Sequence, residues 1–206
     1  MERALRALDD IPSQLNGTTL DGYQPPMFCT VLHTLQSPQN VGMIVRSHVA
    51  LGGDRVVLLG HDQPWRFGKG TQAFSRRLEA LCEFIQLRTD DEFFAWSAAE
   101  GLAPVALEIQ APPTYLDAFT FPERMALVVG REAGGLAPRF LARCAHVVTV
   151  PQFGPVGSLN VAVAASVAMY EVQRGRRPVA DITGHGYAAG RPALPRRGGE
   201  PGERAI

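Results

Sequence analysis

Val150-Pro151-Gln152-Phe153-Gly154-Pro155-Val156-Gly157-Ser158-Leu159-Asn160-Val161, followed by an Ala- and Val-rich run to Tyr170-Glu171, is the stretch from which the fold is read. A strand-like apolar segment from Cys144 to Val150 stops at Pro151. A loop rich in Gly and Pro follows, and the pattern predicts a helix from Ser158 to Gln173 with Ser158 and Asn160 in its first turn. A loop of this build brings backbone N–H groups against a ligand. Two remote segments read as its partners: Asn40-Val41-Gly42-Met43-Ile44-Val45-Arg46, and Gly130-Arg131-Glu132-Ala133-Gly134-Gly135-Leu136. Each lies where an apolar run meets a turn or a helix start, so the three together predict one composite site.

The bulk properties bound the answer. A chain of 206 residues with 46% apolar content suits one domain with appended tails. The formal net charge is zero, so no global positive field advertises nucleic-acid binding. The basic set is nevertheless 19 Arg with a single Lys, Lys69. Two accounts stand for that bias: the composition of the source genome, or the planar guanidinium fork that suits phosphate and base stacking. Cys29, Cys82 and Cys144 are odd in number, far apart and set in apolar runs, which predicts reduced, buried thiols, with neither a disulfide framework nor a zinc site. Acidic residues at Glu2, Asp9 and Asp10 and the lack of a long apolar core speak against a signal peptide, and no window approaches a membrane span. The expected compartment is the cytoplasm.

From Phe28 onward, short apolar runs alternate with amphipathic helices, the pattern of a mostly parallel α/β sheet with crossovers. The expected strands are Phe28–Leu32, Arg55–Leu59, Phe84–Leu87, Pro104–Leu107, Met125–Val129 and His146–Val150. The expected helices are Val41–Leu51, Thr71–Cys82, Asp91–Glu100 (capped by Asp90 and Asp91), Pro138–Ala142 and Ser158–Gln173. Residues 1–27 read as an N-terminal arm, and 178–206, rich in Arg, Gly and Pro, as a flexible tail.

In the first segment, Gly42 permits close backbone approach. Arg46 follows Asn40 by nearly two turns, so both can share a helix face. An Arg near a helix start is disfavoured by the dipole unless an anion is there, and phosphate is the natural anion; a surface Arg paired with a nearby Glu is the plainer alternative. In the second, a buried-type strand ends at Gly130, at the carboxyl edge where open α/β sheets keep their ligand crevice. Glu132 there can hold Arg46 or Asn40, or meet a ligand's amine or hydroxyls. No G-x-G-x-x-G follows an expected strand and no P-loop sequence occurs, which disfavours a dinucleotide or nucleotide-triphosphate enzyme. In the third, Asn160 is a cap on its bland reading, yet Ser158, Leu159 and Asn160 converge with a strand end and a helix start. The helix that follows is apolar almost all round, so a second subunit is its expected cover.

In this order and spacing, the three segments resemble the three motifs of the SpoU/TrmH family of RNA ribose methyltransferases, in the SPOUT superfamily. The resemblance spans residues 28–177. It is carried by Asn40, Gly42 and Arg46, by Gly130, Glu132 and Gly135, and by Pro151, Gly154, Ser158, Leu159, Asn160 and Tyr170-Glu171. It implies an α/β parallel sheet with a C-terminal trefoil knot, a rarity among folds. It also implies a homodimer and S-adenosylmethionine (AdoMet) held near Leu107, Gly130, Val150, Ser158 and Leu159. The chemistry it implies is methyl transfer to a ribose 2′-hydroxyl. Arg46 would stabilise the developing alkoxide, since guanidinium stays protonated. Asn40, Ser158 and Asn160 would fix the ribose and Arg46, and Glu132 would position its neighbours. Arg174, Arg176 and Arg177 are the expected phosphate contacts.

Met43 and Arg131 depart from the family pattern, where small residues are usual; neither change removes a catalytic group. The arm-and-tail layout resembles tRNA-modifying members, so tRNA is the expected substrate, ahead of rRNA. A catalytically idle RNA-binding dimer is the alternative of a different class, and retention of Asn40, Arg46, Ser158 and Asn160 speaks against it.

Overall fold

The computed structural model describes residues 28–61, 63 and 65–174; the expected arm, the tail, Arg176 and Arg177 lie outside the described residues. Six parallel strands form one sheet: β1 (Phe28–His33), β2 (Arg55–Leu59), β3 (Glu83–Leu87), β4 (Ala103–Leu107), β5 (Met125–Val129) and β6 (His146–Val148), in the order β3-β2-β1-β5-β4-β6. The helices are α1 (Pro38–Ala50), α2 (Lys69–Ser75), α3 (Asp90–Ala99), α4 (Pro138–Leu141) and α5 (Val161–Arg174). Among the described residues, no helix is long and apolar enough to cross a membrane.

Period-two alternation splits the strands between two cores. Phe28, Leu32, Val56, Leu58, Val105, Leu127 and Val129 pack with Val41, Ile44 and Val45 of α1 and Ala165 and Met169 of α5. Cys29, Val31, Val57, Leu59, Ala106, Ala126 and Val128 pack with Phe93 of α3 and Phe140 of α4. A sheet covered on both faces explains why its strands read as continuous apolar runs. The expected burial of the three thiols holds for Cys29 alone: Cys82 and Cys144 are only half-buried, and all three are free.

The chain moves outward from β1 through β2 to β3, then crosses to the other side of β1. The strand order therefore reverses between β1 and β5, where the crevice of such sheets opens. Register aligns the carboxyl ends there: Leu32 lies opposite Val129, Val129 opposite Leu107, and Leu107 opposite Val148.

Several expected boundaries are corrected. The helix expected over 71–82 ends at Ser75, because Arg76 and Arg77 both take left-handed backbone, and a 3-10 turn (Leu78–Leu81) follows. Thr89, not Asp90 or Asp91, caps α3. Its side chain accepts from Glu92 N–H, and the Glu92 carboxylate reaches back to Arg88 N–H, a variant of the capping box. Helix α1 begins at Pro38, so Arg46 sits past the first two turns, too far in for the dipole argument to bear on it. Helix α5 begins at Val161, which leaves Ser158, Leu159 and Asn160 in the loop before it.

One buried group has a measurable consequence. His48 on α1 is fully buried; it shares a hydrogen bond of 2.8 Å with Thr30, and its ring fills the space where Gly53 has no Cβ. Burial pushes its pKa from 6.5 down to about 4. The unfolded chain therefore binds a proton below about pH 6.5 that the folded protein refuses until about pH 4. Stability from this group is complete above 6.5 and is lost as pH falls toward 4, on the order of 3 kcal/mol. The Tm should drop across pH 6.5–4.5, above the range where carboxylates titrate. His48→Gln should flatten that limb, and a wild-type Tm constant over this window would contradict the assignment.

Candidate active site

Asn40 is the hub at the reversal point. Ser37 caps α1 by accepting from Asn40 N–H at 3.3 Å, and Pro38 fits the first helical position, where no N–H is needed. This start is anchored to the turn after β5. The Asn40 amide donates to Glu132 Oε1 at 2.9 Å, and Ser37 N–H donates to the same oxygen at 3.2 Å. Asn160 then donates to Asn40 Oδ1 at 3.1 Å, while its own Oδ1 accepts from Ala162 N–H at 2.9 Å and Val163 N–H at 3.3 Å, capping α5. Asn160 thus holds its bland role and a tertiary one at once. The three segments that the sequence singles out meet through side-chain amides and one carboxylate.

Of the partners open to Glu132, Asn40 is the one it takes. Burial by itself would raise the Glu132 carboxyl, but hydrogen bonds from Asn40, from its own amide and from the Ser37 and Gln36 N–H groups hold it below its ordinary value. It stands as a fixed anion. Arg46 is exposed on α1 whereas Asn40 is buried, and six residues set them about 120° apart round the helix, so the expected shared face is not formed; among the described residues Arg46 has no ion pair.

Beside this network lies a cavity of about 540 Å³, within the usual range for small-molecule sites. Its lining includes Leu107, Gly130, Val150, Ser158, Leu159 and Asn160, along with Glu132. The second segment needs its glycines here. A methyl group on Gly130 would lie 2.7 Å from Gly135 C and 2.8 Å from Leu136 N. Gly135 itself has φ +56°, and a Cβ there would run into the Glu108 carboxylate.

Sequence reasoning missed several lining residues, of which Glu108 is the charged one after β4. Its carboxylate accepts from Leu136 N–H at 2.8 Å and from Ile109 N–H at 3.0 Å, tying the end of β4 to the Gly134–Gly135 turn. The available signal was an acidic residue directly after the apolar run 104–107, at a strand's carboxyl end. On the far side, Thr149 Oγ1 donates to Glu108 O at 2.7 Å, which sets where the chain leaves toward Val150. The loop beyond is open: Phe153 is 96% exposed, and Cβ atoms at Gly154 or Gly157 would touch nothing. Arg174 sits apart at the end of α5, in an ion pair with Glu171 at 2.6 Å.

Residues 27–170 match the model of the SpoU rRNA Methylase family. The chain belongs to this family. It is 33% identical over 172 residues to an uncharacterized tRNA/rRNA methyltransferase of Mycobacterium ulcerans, covering 81% of this chain and 52% of that protein. The chain thus spans about half the length of the curated relatives it matches. Among solved structures, the SpoU methyltransferase AviRb from Streptomyces viridochromogenes, in complex with AdoMet, superposes with a TM-score of 0.67 at 24% identity. That match covers 75% of this chain and 59% of AviRb and shows the shared fold. A structure described as giving insight into 2-OH methylation of C/U34 on tRNA matches with a TM-score of 0.62 and 28% identity, covering 74% of this chain and 98% of that one.

Proposed function

We propose that this SpoU-family chain transfers a methyl group from AdoMet to a ribose 2′-hydroxyl of RNA, with tRNA as its substrate. The observation that carries the reading is the Asn40–Glu132–Asn160 network, which draws all three family segments to the rim of one cavity at the reversal point of the sheet.

The cavity suits the donor on structural grounds. Its volume admits a nucleoside-sized molecule, and its floor is bare backbone at Gly130, where any side chain would intrude. Leu107, Val150 and Leu159 supply apolar walls, and Gly130 and Ser158 supply polar groups. AdoMet, when bound, supplies an activated methyl, so the protein's share is positioning and charge. Arg46 faces the RNA side as a permanent cation and stabilises negative charge developing on the attacking 2′-oxygen. Asn40 and Asn160, each locked by the other, orient the ribose. Glu132 holds Asn40, and Ser158 contacts the substrate from the opposite wall. Arg174, with Arg176 and Arg177 after it, meets RNA phosphates once Glu171 releases it.

The tRNA preference draws support from the match that takes in nearly the whole of a protein described as acting on tRNA. The rRNA alternative draws on the family's own description and on the tRNA/rRNA relative. The chain acts as a homodimer in this reading: Val163, Val167 and Tyr170 are 50%, 37% and 55% exposed and recur at spacings of four and three on one side of α5. Sedimentation should return twice the chain mass.

Methyl-labelled AdoMet, incubated with protein and RNA from cells lacking the gene, should give ribose-methylated nucleosides on digestion, in the tRNA fraction. Label on a base, or on no RNA, rejects the activity. Label confined to rRNA rejects the substrate choice, and RNA binding without any transfer favours the idle dimer.

A further inference from the structure

Helix α2 is bracketed by cations. Residues 65–78 hold Arg66, Lys69, Arg76 and Arg77 and no acidic residue, within a chain of zero formal net charge. All four side chains are exposed, and none has an ion pair among the described residues.

The backbone at the second pair is strained. Arg76 and Arg77 have φ of 55° and 64°, a region that glycine and asparagine occupy at low cost and other residues avoid, above all in succession. The turn is tightly held all the same. Arg76 N–H donates to Gln72 O at 3.0 Å and Arg77 N–H to Ser75 Oγ at 3.3 Å, while the buried Ser75 hydroxyl donates to Glu79. That last bond engages the acid nearest in sequence, which leaves both guanidinium groups without a counter-ion. Two arginines kept where glycine would be relaxed argue that their side chains are what the position requires.

Packing ties this turn to α1, the helix that also carries Asn40 and Arg46. The last turn of α2 rests on Gly42 of α1: a Cβ there would lie 2.5 Å from Thr71 O, 2.9 Å from Phe74 Cβ and 3.0 Å from Ser75 N. Arg46 lies one helical turn beyond Gly42, on the same side of α1. The arginine pair therefore follows directly on a helix packed against α1, the helix that carries Arg46.

The geometry points to the Arg76–Arg77 turn, together with Arg66 and Lys69, as a docking surface for the sugar–phosphate backbone of the RNA flanking the modified nucleotide. This rests on the reading of the chain as an RNA methyltransferase. Guanidinium forks match phosphate oxygens in pairs, and such contacts set register without reading sequence. The surface accordingly fixes where the strand lies, whatever its bases.

The test uses the full chain and the double variant R76N/R77N, since asparagine keeps the left-handed turn and removes the charge. Each is titrated with bulk tRNA and with fragmented rRNA between about 50 and about 200 mM salt. The variant should bind RNA about tenfold more weakly at low salt. Its slope of log affinity against log salt should be shallower by about 1.4 to 1.8, the share of two phosphates. Its Tm should be equal or higher and its AdoMet affinity unchanged, and R76K/R77K should restore the slope. Should the double variant fail to fold, R76Q and R77Q carry the same measurement at half the effect. Unchanged RNA affinity and slope, in a protein whose wild type methylates RNA, overturns the docking surface alone. A lower affinity with the wild-type slope overturns it too, because shape and not charge would then be at work. A wild type that neither binds nor methylates any RNA overturns the functional reading, and this surface with it.

Discussion

Arg46→Ala should lower single-turnover methyl transfer by about a hundredfold to a thousandfold, while AdoMet affinity measured by calorimetry stays within about twofold. The size follows from the role: a donor aimed at charge that develops only in the transition state contributes to the chemical step and not to ground-state binding. The selectivity follows from position. Arg46 is exposed on α1 and is absent from the cavity lining formed by β4, β5 and the loop before α5. With no ion pair among the described residues, its removal strands no partner, so the Tm should move little. Arg46→Lys keeps the charge and loses the planar fork, and should recover only part of the rate. Loss of AdoMet binding in Arg46→Ala would place this residue on the donor side of the reaction and refute the assignment.

Gly130→Ala should remove AdoMet binding by tenfold or more (about 1.4 kcal/mol or above) and lower stability by about 1–3 kcal/mol. The added methyl meets Gly135 C at 2.7 Å, Leu136 N at 2.8 Å and Gly135 O at 3.0 Å, all of them main-chain atoms that no rotamer change can move aside. Relief has to come from displacing the Gly134–Gly135 turn. That turn is stapled to β4 through Glu108 and lies next to Glu132, so the strain reaches Asn40 and the cap of α5. Gly157→Ala is the matched control: its Cβ meets nothing, and it should bind AdoMet and unfold as the wild type does. Wild-type AdoMet affinity in Gly130→Ala would mean that the donor binds elsewhere.

Both predictions draw on residues that were legible before any coordinates. Asn40, Gly130, Glu132, Ser158 and Asn160 stand beside apolar runs, where a parallel sheet keeps its ligands, and with Arg46, which lies within α1, they carry the resemblance to the family. Other features were out of reach for definable reasons. The helical pattern continues past Ser75, but the break at Arg76 depends on the Ser75 hydroxyl finding Arg77 N–H and Glu79, which periodicity does not register. Two adjacent acids masked Thr89 as the cap of α3, because Asp outweighs Thr as a capping residue only when the backbone is extended at that position. Glu108 read as an ordinary polar residue after a strand, since its two backbone partners are supplied in part by a turn 28 residues away.

By itself, the sequence determined the six strands, the burial of the sheet on both faces and the three segments that meet at the candidate site. Each of these follows from local periodicity and from the intolerance of buried backbone for polar interruption. Tertiary structure alone decided which of Glu132's possible partners it takes and that Asn160 caps α5 while also gripping Asn40. Residues 92 and 120 positions apart meet only because β5 pairs with β1 and α5 packs beside α1, and no local propensity encodes that closure.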